Sequence, residues 1–235
     1  VETAPTIWSE VVASGHRFAF AGAGSSGYAD EWVLLQYLNA GGELGRGSSV
    51  RPEALARLFS TLDQGRSTGT IPPEAMTYAS ANAVWAALAA GHVEMASVPA
   101  NVYLGERAAG APFAVAPVPG INGEGRTIAD VYAFIILTDD GERRTRALAL
   151  IDHLLAPEVH GAWAYAVDWL PVRPEALTSW LANDEYTLFI QPLLEEAIAL
   201  PGERSFADLS RRLQQVTTSV MNGEMTPEAA VTAFE

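Results

Sequence analysis

A glycine-rich turn near the start of the chain is the first place where residue types and spacing could support chemistry. Gly22, Gly24 and Gly27 have the spacing of a dinucleotide fingerprint and stand between an apolar run and a helical pattern. In that fingerprint, the backbone N–H groups of the turn hold a pyrophosphate at a helix N-terminus. The acid that binds the ribose should end a second strand about 20 residues on, but residues 39–48 read as a loop. An α/β enzyme that binds a nucleotide at this turn is therefore only the alternative function, and the N–H donors suit any polar ligand.

Other catalytic patterns are incomplete. Ser26 is followed by Gly27 and Tyr28, so the second glycine of a nucleophile elbow is misplaced. The four histidines lack metal-binding spacing, and the chain has no cysteine. Neighbouring carboxylates on a helix point apart and would not share a proton. Such pairs are Asp30–Glu31, Asp139–Asp140 and Glu195–Glu196. We expect no catalytic residue, no metal site, no cofactor and no enzyme activity.

Aromatic residues with polar neighbours recur where the predicted helices and strands end. The apolar face of a sugar packs on an aromatic ring, while polar side chains bind its hydroxyl groups. A carbohydrate or a similar polyol fits this mixture. The aromatic residues are Tyr28, Tyr103, Tyr132, Trp169 and Phe206, and their polar neighbours are Asp30, Asn101, Asp130, Arg173 and Arg204.

The charge balance excludes one large class of partner. Fourteen basic residues, all arginine, stand against 28 acidic ones, for a net charge of −14. A protein that binds the phosphates of a nucleic acid needs a basic surface. No apolar stretch approaches the roughly 18 residues that cross a bilayer. The opening residues Val1–Pro5 lack the regions of a signal peptide, so we expect a processed or trimmed chain.

Proline near helix starts and glycine after helix ends divide the chain into predicted elements. Leu55, Leu58, Phe59 and Leu62 form one apolar stripe at helical spacing, which predicts core packing and not a site. Helices are predicted at 5–14, 28–38, 52–64, 80–90, 142–155, 157–166, 174–181, 186–199, 206–222 and from 227. Strands are predicted at 17–21, 93–98, 113–118 and 131–137. This order favours a helix-rich α/β fold.

Several short sequence phrases resemble phrases of the extracellular solute-binding proteins of ABC importers and occur in the same order along the chain. The resemblance is to family 1, of the sugar-binding type typified by maltose-binding proteins. Pro5–Glu10 (PTIWSE) is similar to the family's "P.TWdEl", and Asn222–Ala230 (NGEMTPEAA) to its "sGe.speeAl". The phrases between them are Ala90–Pro99 (AGHVEMASVP), Phe113–Gly120 (FAVAPVPG), Tyr132–Ile136 (YAFII), Arg146–Val159 and Trp169–Arg173 (WLPVR). The resemblance covers nearly the whole chain.

The resemblance implies a periplasmic-binding-protein fold of type II, in which two α/β lobes close around a ligand by a hinge motion. Family members begin with a stretch that builds most of the N-terminal lobe, and this sequence starts after it. We therefore expect residues 1–111 and 156–235 to form the C-terminal-type lobe, and residues 112–155 to form the segment that crosses to the first lobe. A severed lobe would expose apolar surface on 112–155, so an interaction module or an oligomer is a third interpretation.

The resemblance also implies a function. The protein would be the substrate-binding component of an ABC transporter, delivering a carbohydrate or related polar solute to permease subunits. It would be periplasmic or extracellular, and a membrane-tethered lipoprotein in its full-length form. It would bind no nucleic acid and have no membrane span in this chain.

The resemblance places the ligand at particular positions. These are Ser26 and Tyr28, Pro99–Asn101, Asp130 and Tyr132, and Arg204–Phe206. The family's Gly-Gly pair before the aromatic is replaced by Ala129–Asp130, and the aromatic after Pro99 is replaced by Ala100. Stacking at Ala100 is lost unless Tyr103 replaces it. With Asp30, Tyr103 and Trp169 from the turn pattern, these positions make the candidate ligand-binding set.

Overall fold

The computed structural model describes residues 4–44, 50–123, 125–180, 184–201 and 204–234, without the side chains of 204 and 205. Ten α-helices lie in these ranges: α1 (Trp8–Ala13), α2 (Glu31–Asn39), α3 (Pro52–Thr68), α4 (Ala81–Ala89), α5 (Ala100–Ala108), α6 (Gly141–Leu154), α7 (Pro157–Ala166), α8 (Glu185–Glu196), α9 (Arg204–Met221) and α10 (Pro227–Thr232). Two 3-10 helices span Pro73–Thr77 and Pro174–Ser179. No helix of the described ranges combines the length and the apolar character that a bilayer crossing requires.

The strands form two short parallel pairs. β1 (Phe18–Ala19) pairs with β2 (Met95–Ala96), with Phe18 opposite Met95. β3 (Ile128–Ala129) pairs with β4 (Ile198–Ala199), with Ile128 opposite Ile198. Each pair joins segments about 70 residues or more apart in the chain, with helices between them. Helices that connect parallel strands are the defining feature of an α/β fold, so the predicted fold class is confirmed.

Local sequence signals account for most helix boundaries. Asp30, Ser80, Asp140, Asp184 and Thr226 each accept a hydrogen bond from a backbone N–H in the first turn of the helix that they precede. Such a cap satisfies one of the four N–H groups that a helix N-terminus leaves unpaired. Pro52 at the start and the left-handed Gly69 at the end bound α3, which continues past the predicted end before Gly65.

The main core packs around a cluster of aromatic rings and the stripe of α3. Trp8, Phe18, Phe20 and Trp32 are all buried, with neighbouring ring centroids 4.5–5.6 Å apart. The predicted α3 stripe, Leu55, Leu58, Phe59 and Leu62, has no exposed surface. Helices α9 and α10 close this core, which contains Leu213, Val216, Val220 and Ala230. The β1–β2 pair lies within it.

A second, smaller core forms around the late helices. Leu104 of α5 packs with Ala164, Leu177, Trp180, Tyr186 and Ile190. Gly161 permits α7 to approach the second 3-10 helix, since a Cβ on Gly161 would lie 2.1 Å from the Ala176 carbonyl oxygen. Nε2 of His160 accepts the Val172 N–H at 3.1 Å, and burial lowers the pKa of this imidazole. His160 is thus a buried residue of α7 that packs in this core.

Residues 131–154 carry apolar side chains that the described chain leaves largely exposed. Tyr132, Ile135 and Leu137 are 74%, 77% and 92% exposed, and α6 has no buried residue. Among the described residues, none forms a backbone–backbone hydrogen bond with 131–137. The predicted exposure of apolar surface here is present over residues 131–154. We call residues 131–154 the uncovered segment.

Several predicted elements are wrong or differ in type. Residues 113–118 and 131–137 form no strand, because no described segment pairs with them. Helix α5 was not predicted, since Pro99 and Gly105 read as loop; burial of Leu104 against the second core stabilises it. The helix predicted at 186–199 ends at Glu196, and its last residues form β4. The helix predicted at 174–181 is a 3-10 helix over 174–179.

Candidate functional site

The predicted ligand-binding residues follow the carboxyl ends of the four strands. The loop after β1 carries Ser26, Tyr28 and Asp30, and β2 leads through Pro99 into α5 with Asn101 and Tyr103. Asp130 and Tyr132 follow β3, and Arg204 and Phe206 follow β4. Because the strands of each pair are parallel, the residues that follow them lie at one end of that pair, where α/β folds bind ligands. Trp169 is the exception, since it follows α7.

Close packing explains why glycine occupies two positions of the glycine-rich turn. A Cβ on Gly22 would lie 2.7 Å from the Ala75 carbonyl oxygen. A Cβ on Gly24, where φ is +68°, would lie 2.3 Å from the Tyr28 carbonyl oxygen and 2.7 Å from the Gln214 side chain. Both glycines therefore let the turn approach protein atoms on two sides. That role explains their spacing without a pyrophosphate.

Asp30 occupies the N-terminus of α2 where a phosphate would have to bind. Its carboxylate accepts the Trp32 N–H at 2.9 Å. Burial, reinforced by the nearby Glu31 carboxylate, raises the pKa of Asp30 to about 7. An acidic side chain at this position satisfies the helix dipole and opposes a second negative group. No observation on the described residues favours the nucleotide alternative.

The loop that carries Tyr28 is hydrogen-bonded to α9. The Ala29 N–H donates to both the backbone carbonyl and the hydroxyl of Ser210, at 3.2 and 3.1 Å. Gln214 Nε2 donates to the Gly22 carbonyl at 2.9 Å, and both Ser210 and Gln214 are buried. Each end of the loop is thereby hydrogen-bonded to one face of α9. Loop and helix therefore behave as one unit.

Tyr28 stands at the surface of this unit with a cationic neighbour. The Arg211 guanidinium carbon lies 5.5 Å from the centre of the half-buried Tyr28 ring, within the range of a cation–π contact. Arg211 Nη1 also donates to the Tyr28 hydroxyl at 3.4 Å. An aromatic ring beside a hydroxyl and a guanidinium can pack on a sugar face and bind its hydroxyl groups.

The structure brings some predicted residues together and leaves others apart. Phe206 lies one helical turn before Ser210 on α9 and packs, half-buried, on the main core. Ser26 lies in the same loop as Tyr28, exposed and with φ of +52°. Tyr132 and Trp169 form a separate exposed pair, with ring centroids 4.9 Å apart, and Asp130 is exposed two residues before Tyr132. The Arg204 side chain is outside the described residues.

Tyr103 has a different environment from the one expected of a turn residue. It lies inside α5, its ring centre is 5.1 Å from that of Tyr186, and its hydroxyl donates to the Phe113 carbonyl at 3.4 Å. These contacts join it to the second core. Asn101 is exposed on the first turn of the same helix.

Sequence reasoning missed the residues of α9 that hold the loop. Ser210, Arg211 and Gln214 belong to a helix predicted only as an apolar stripe. A signal existed, since Ser210, Gln214 and Thr217 interrupt that stripe with polar groups, all of them buried. Buried polar side chains need partners, and a polar residue within an apolar stripe indicates a specific contact.

The profile of a family described as bacterial extracellular solute-binding protein matches residues 2–187. No curated protein matches the chain.

Solved structures of sugar-binding proteins share the fold. The cyclic alpha-maltosyl-1,6-maltose binding protein of Arthrobacter globiformis matches at a TM-score of 0.75 and 20% identity, over 100% of this chain and 63% of its own. The sugar-binding protein MalE of Xanthomonas citri matches at 0.76 and 22%, over 100% and 62%. An ABC transporter solute-binding protein of Thermotoga lettingae, bound with alpha-D-tagatose, matches at 0.72 and 19%, over 99% and 63%. The fold is therefore periplasmic-binding-protein-like, and the chain spans less than two thirds of each of these proteins.

Proposed function

Since the chain belongs to the bacterial extracellular solute-binding proteins, we propose that it is the substrate-binding component of an ABC importer. It binds a carbohydrate or a related polar solute reversibly and presents it to permease subunits, outside the cell or in the periplasm. The full-length protein is tethered to the membrane. No covalent chemistry is part of this role.

The observation that carries the proposal is the unit formed by the loop after β1 and α9. Tyr28 and Arg211 place an aromatic face, a hydroxyl and a guanidinium side by side at the carboxyl end of a parallel strand pair. A sugar needs this combination, because it has one apolar face and a rim of hydroxyl groups. One structural neighbour is a cyclic alpha-maltosyl-1,6-maltose binding protein and another is bound with alpha-D-tagatose, which supports the same class of solute.

The remaining predicted residues complete the site in this proposal. Ser26, Asp30, Asn101 and Asp130 supply hydrogen-bonding groups, and the Tyr132–Trp169 pair supplies a second aromatic surface. Arg204 and Phe206 stand at the start of α9, and Tyr103 contributes from α5. Residues 1–111 and 156–235 form one lobe in this proposal, and 112–155 form the segment that crosses to a second lobe.

Titration of this chain with sugars, followed by two-dimensional NMR, tests the proposal. Maltose, trehalose and tagatose are the probes, and we expect saturable shifts of the amides of residues 25–30 and 204–211. Matched titrations with glutamate and spermidine control for non-specific effects. If no sugar moves these amides while an amino acid or a polyamine does, the carbohydrate assignment is wrong.

The nucleotide alternative has its own test. Titration with NAD⁺ and ATP, followed by tryptophan fluorescence, should show no saturable binding in the micromolar range. Saturable micromolar binding of either would favour the enzyme instead.

A further inference from the structure

A cavity lies between α5 and the late helices, and none of the loop residues after β1 lines it. It has a volume of about 250 Å³ and is partly open to solvent. Its lining comes from three places: Leu104, Arg107 and Ala108 on α5; Tyr165, Asp168 and Trp180 at α7 and the second 3-10 helix; and Asp184 and Thr187 at the start of α8. This volume is below that of the pockets that hold drug-sized ligands, so a small ligand fits the cavity.

Two carboxylates and one guanidinium line the cavity, so one carboxylate has no cationic partner within it. Both Arg107 terminal nitrogens pair with the Asp184 carboxylate, one of them at 3.0 Å. Asp184 also accepts the N–H and the hydroxyl of Thr187, at 3.1 and 3.3 Å. Arg107 and Asp184 therefore neutralise each other. Among the described residues, no cation lies within 4.0 Å of the Asp168 carboxylate, so the cavity has a net negative charge.

The backbone of Asp168 holds its carboxylate in place at some cost. Asp168 has φ of +57°, the left-handed conformation that ends α7, and the Trp169 N–H donates to the Ala164 carbonyl at 2.9 Å. Glycine is the usual residue here, because a side chain is strained at this φ. The carboxylate faces α5, where a Cβ on Gly105 would be 3.6 Å from Asp168 Oδ2.

Aromatic rings form one wall of the same cavity. Tyr165 and Trp180 meet edge to face, with ring centroids 5.4 Å apart. The Trp180 indole N–H is already satisfied by the Gly161 carbonyl at 3.0 Å, so this wall presents ring surface and not a free donor. Leu104 and Ala108 add apolar surface on the α5 side.

From this geometry we propose that the cavity is a binding site for a small alkylammonium cation. The ammonium group binds the Asp168 carboxylate, and the alkyl group packs on Tyr165, Trp180 and Leu104. Aromatic faces and a carboxylate together favour a cation, since both attract positive charge. An anion is disfavoured because the Arg107 guanidinium is already paired. The site is independent of the sugar site, so either proposal can fail alone.

Titration of the 235-residue protein with n-butylammonium chloride tests the proposal, with the Trp180 indole N–H resonance as the readout and ionic strength held constant. We expect a saturable shift of that resonance. Neutral n-butanol and anionic butyrate should each bind about tenfold more weakly or worse, since neither can form the charge-assisted hydrogen bond with the Asp168 carboxylate. Equal shifts from n-butanol would overturn the proposal.

The variant Asp168→Asn provides the matched test. Asparagine tolerates a left-handed φ as well as aspartate does, so the variant should fold and keep its melting temperature within a few degrees. We expect it to lose n-butylammonium binding by about tenfold. Asp152→Asn on the exposed surface of α6 is the control and should bind as the parent protein does. Unchanged affinity in Asp168→Asn would also contradict the site.

Discussion

At the scale of single residues, Tyr28 is the side chain on which the sugar proposal depends most. Its ring is half-buried against Arg211 and forms part of the loop surface. We expect Tyr28→Ala to weaken sugar binding by on the order of 1 kcal/mol or more, because a stacked aromatic contributes that much beyond its buried area. Calorimetric titration with a sugar that binds the parent measures the change.

A matched substitution separates this loss from a general effect. Tyr165→Ala removes a similar ring from an exposed position outside the loop, and sugar affinity should be unaffected. Tyr28→Phe keeps the ring and loses the hydroxyl, so it should keep most of the affinity. Unaltered binding in Tyr28→Ala would remove this residue from the site.

Asp30 should make the stability of the protein depend on pH. Burial raises its pKa from 3.8 to about 7, so between these values the folded protein holds a proton that the unfolded chain releases. The contribution of Asp30 to the free energy of unfolding therefore falls as pH rises from about 4 to 7. Asp30→Asn keeps a helix cap without the charge. We expect the variant to be more stable than the parent at pH 8, by on the order of 1–4 kcal/mol.

Urea denaturation at pH 4.5, 6 and 8 measures this difference. The stabilisation by Asp30→Asn should shrink as pH falls, since protonated Asp30 and asparagine carry the same charge. Asp30→Ala removes cap and charge together and should be less stable than Asp30→Asn at every pH, by about 1 kcal/mol. A stability difference that does not vary with pH would show that Asp30 titrates normally.

At the scale of elements, the turn between β1 and α2 depends on Gly24 more than on Gly27. Both have positive φ, +68° and +81°. Only Gly24 is in close contact, with the Tyr28 carbonyl and Gln214, while a Cβ on Gly27 would meet nothing within 4 Å. Gly27→Ala should lower the free energy of unfolding by about 1–2 kcal/mol, because the only penalty is the strain of an alanine at left-handed φ. Gly24→Ala adds a clash with the Tyr28 backbone, so we expect it to lower the free energy of unfolding by about 3 kcal/mol or more.

Denaturation midpoints of the two alanine variants provide the comparison. Gly24→Ala should lower the midpoint clearly more than Gly27→Ala does, and it should broaden the amide signals of residues 22–30. Equal midpoints would mean that the contact with Gln214 and Tyr28 is not tight in solution.

The Arg107–Asp184 ion pair joins α5 to α8, which are 77 residues apart in sequence at these positions. The paired guanidinium holds the pKa of Asp184 below its ordinary value. The stabilisation by this ion pair is therefore fully present above the ordinary pKa of an aspartate. It is lost as pH falls through the lowered pKa of Asp184. Arg107 is partly exposed, so solvent screening limits the effect. We expect Arg107→Met to lower the free energy of unfolding by about 1 kcal/mol at pH 7.

The pair Arg146–Glu142 on α6 is the matched control. Both side chains are about three-quarters exposed, so Arg146→Met should change the free energy of unfolding by no more than about 0.5 kcal/mol. Urea denaturation at pH 7 compares the two variants. A loss in Arg146→Met as large as that in Arg107→Met would contradict a stabilising role for the link between α5 and α8.

At the scale of the whole molecule, the uncovered segment should control self-association. Phe134, Ile135 and Leu137 are mostly exposed, and no backbone group of the described residues forms a hydrogen bond with the backbone of 131–137. Exposed apolar segments with unpaired backbone groups associate with each other or with another chain. We expect the protein to self-associate at high micromolar concentration. The double variant Phe134→Ser and Ile135→Ser should shift the distribution toward the monomer.

Light scattering over a concentration series measures this effect. Leu188→Ser, a single exposed apolar residue on α8, is the control and should not alter association. A parent protein that remains a monomer at every concentration would remove the interaction-module interpretation.

Much of the fold follows from local signals that any single sequence displays. Prolines near helix starts, glycines after helix ends and apolar spacing predicted nine of the helices near their observed positions, because these signals act within one or two turns. Helix α5 and the strand at Ile198 depended on contacts with distant residues, and local spacing does not record such contacts. Residues 113–118 and 131–137 have strand-like composition, but a strand also needs a partner.

The candidate site divides in the same way. The sequence alone placed six candidate residues near the ends of strands or the starts of helices: Ser26, Tyr28, Asp30, Asn101, Asp130 and Phe206. Its short phrases also indicated the family, which the profile match then showed. Only the tertiary structure decided that Ser210, Arg211 and Gln214 hold the loop of Tyr28, that Tyr103 packs in a core, and that Gly22 and Gly24 serve close packing. The physical reason is range: caps and periodicity are set by neighbours in the chain, whereas a site is set by contacts between residues that folding brings together across as many as 192 positions.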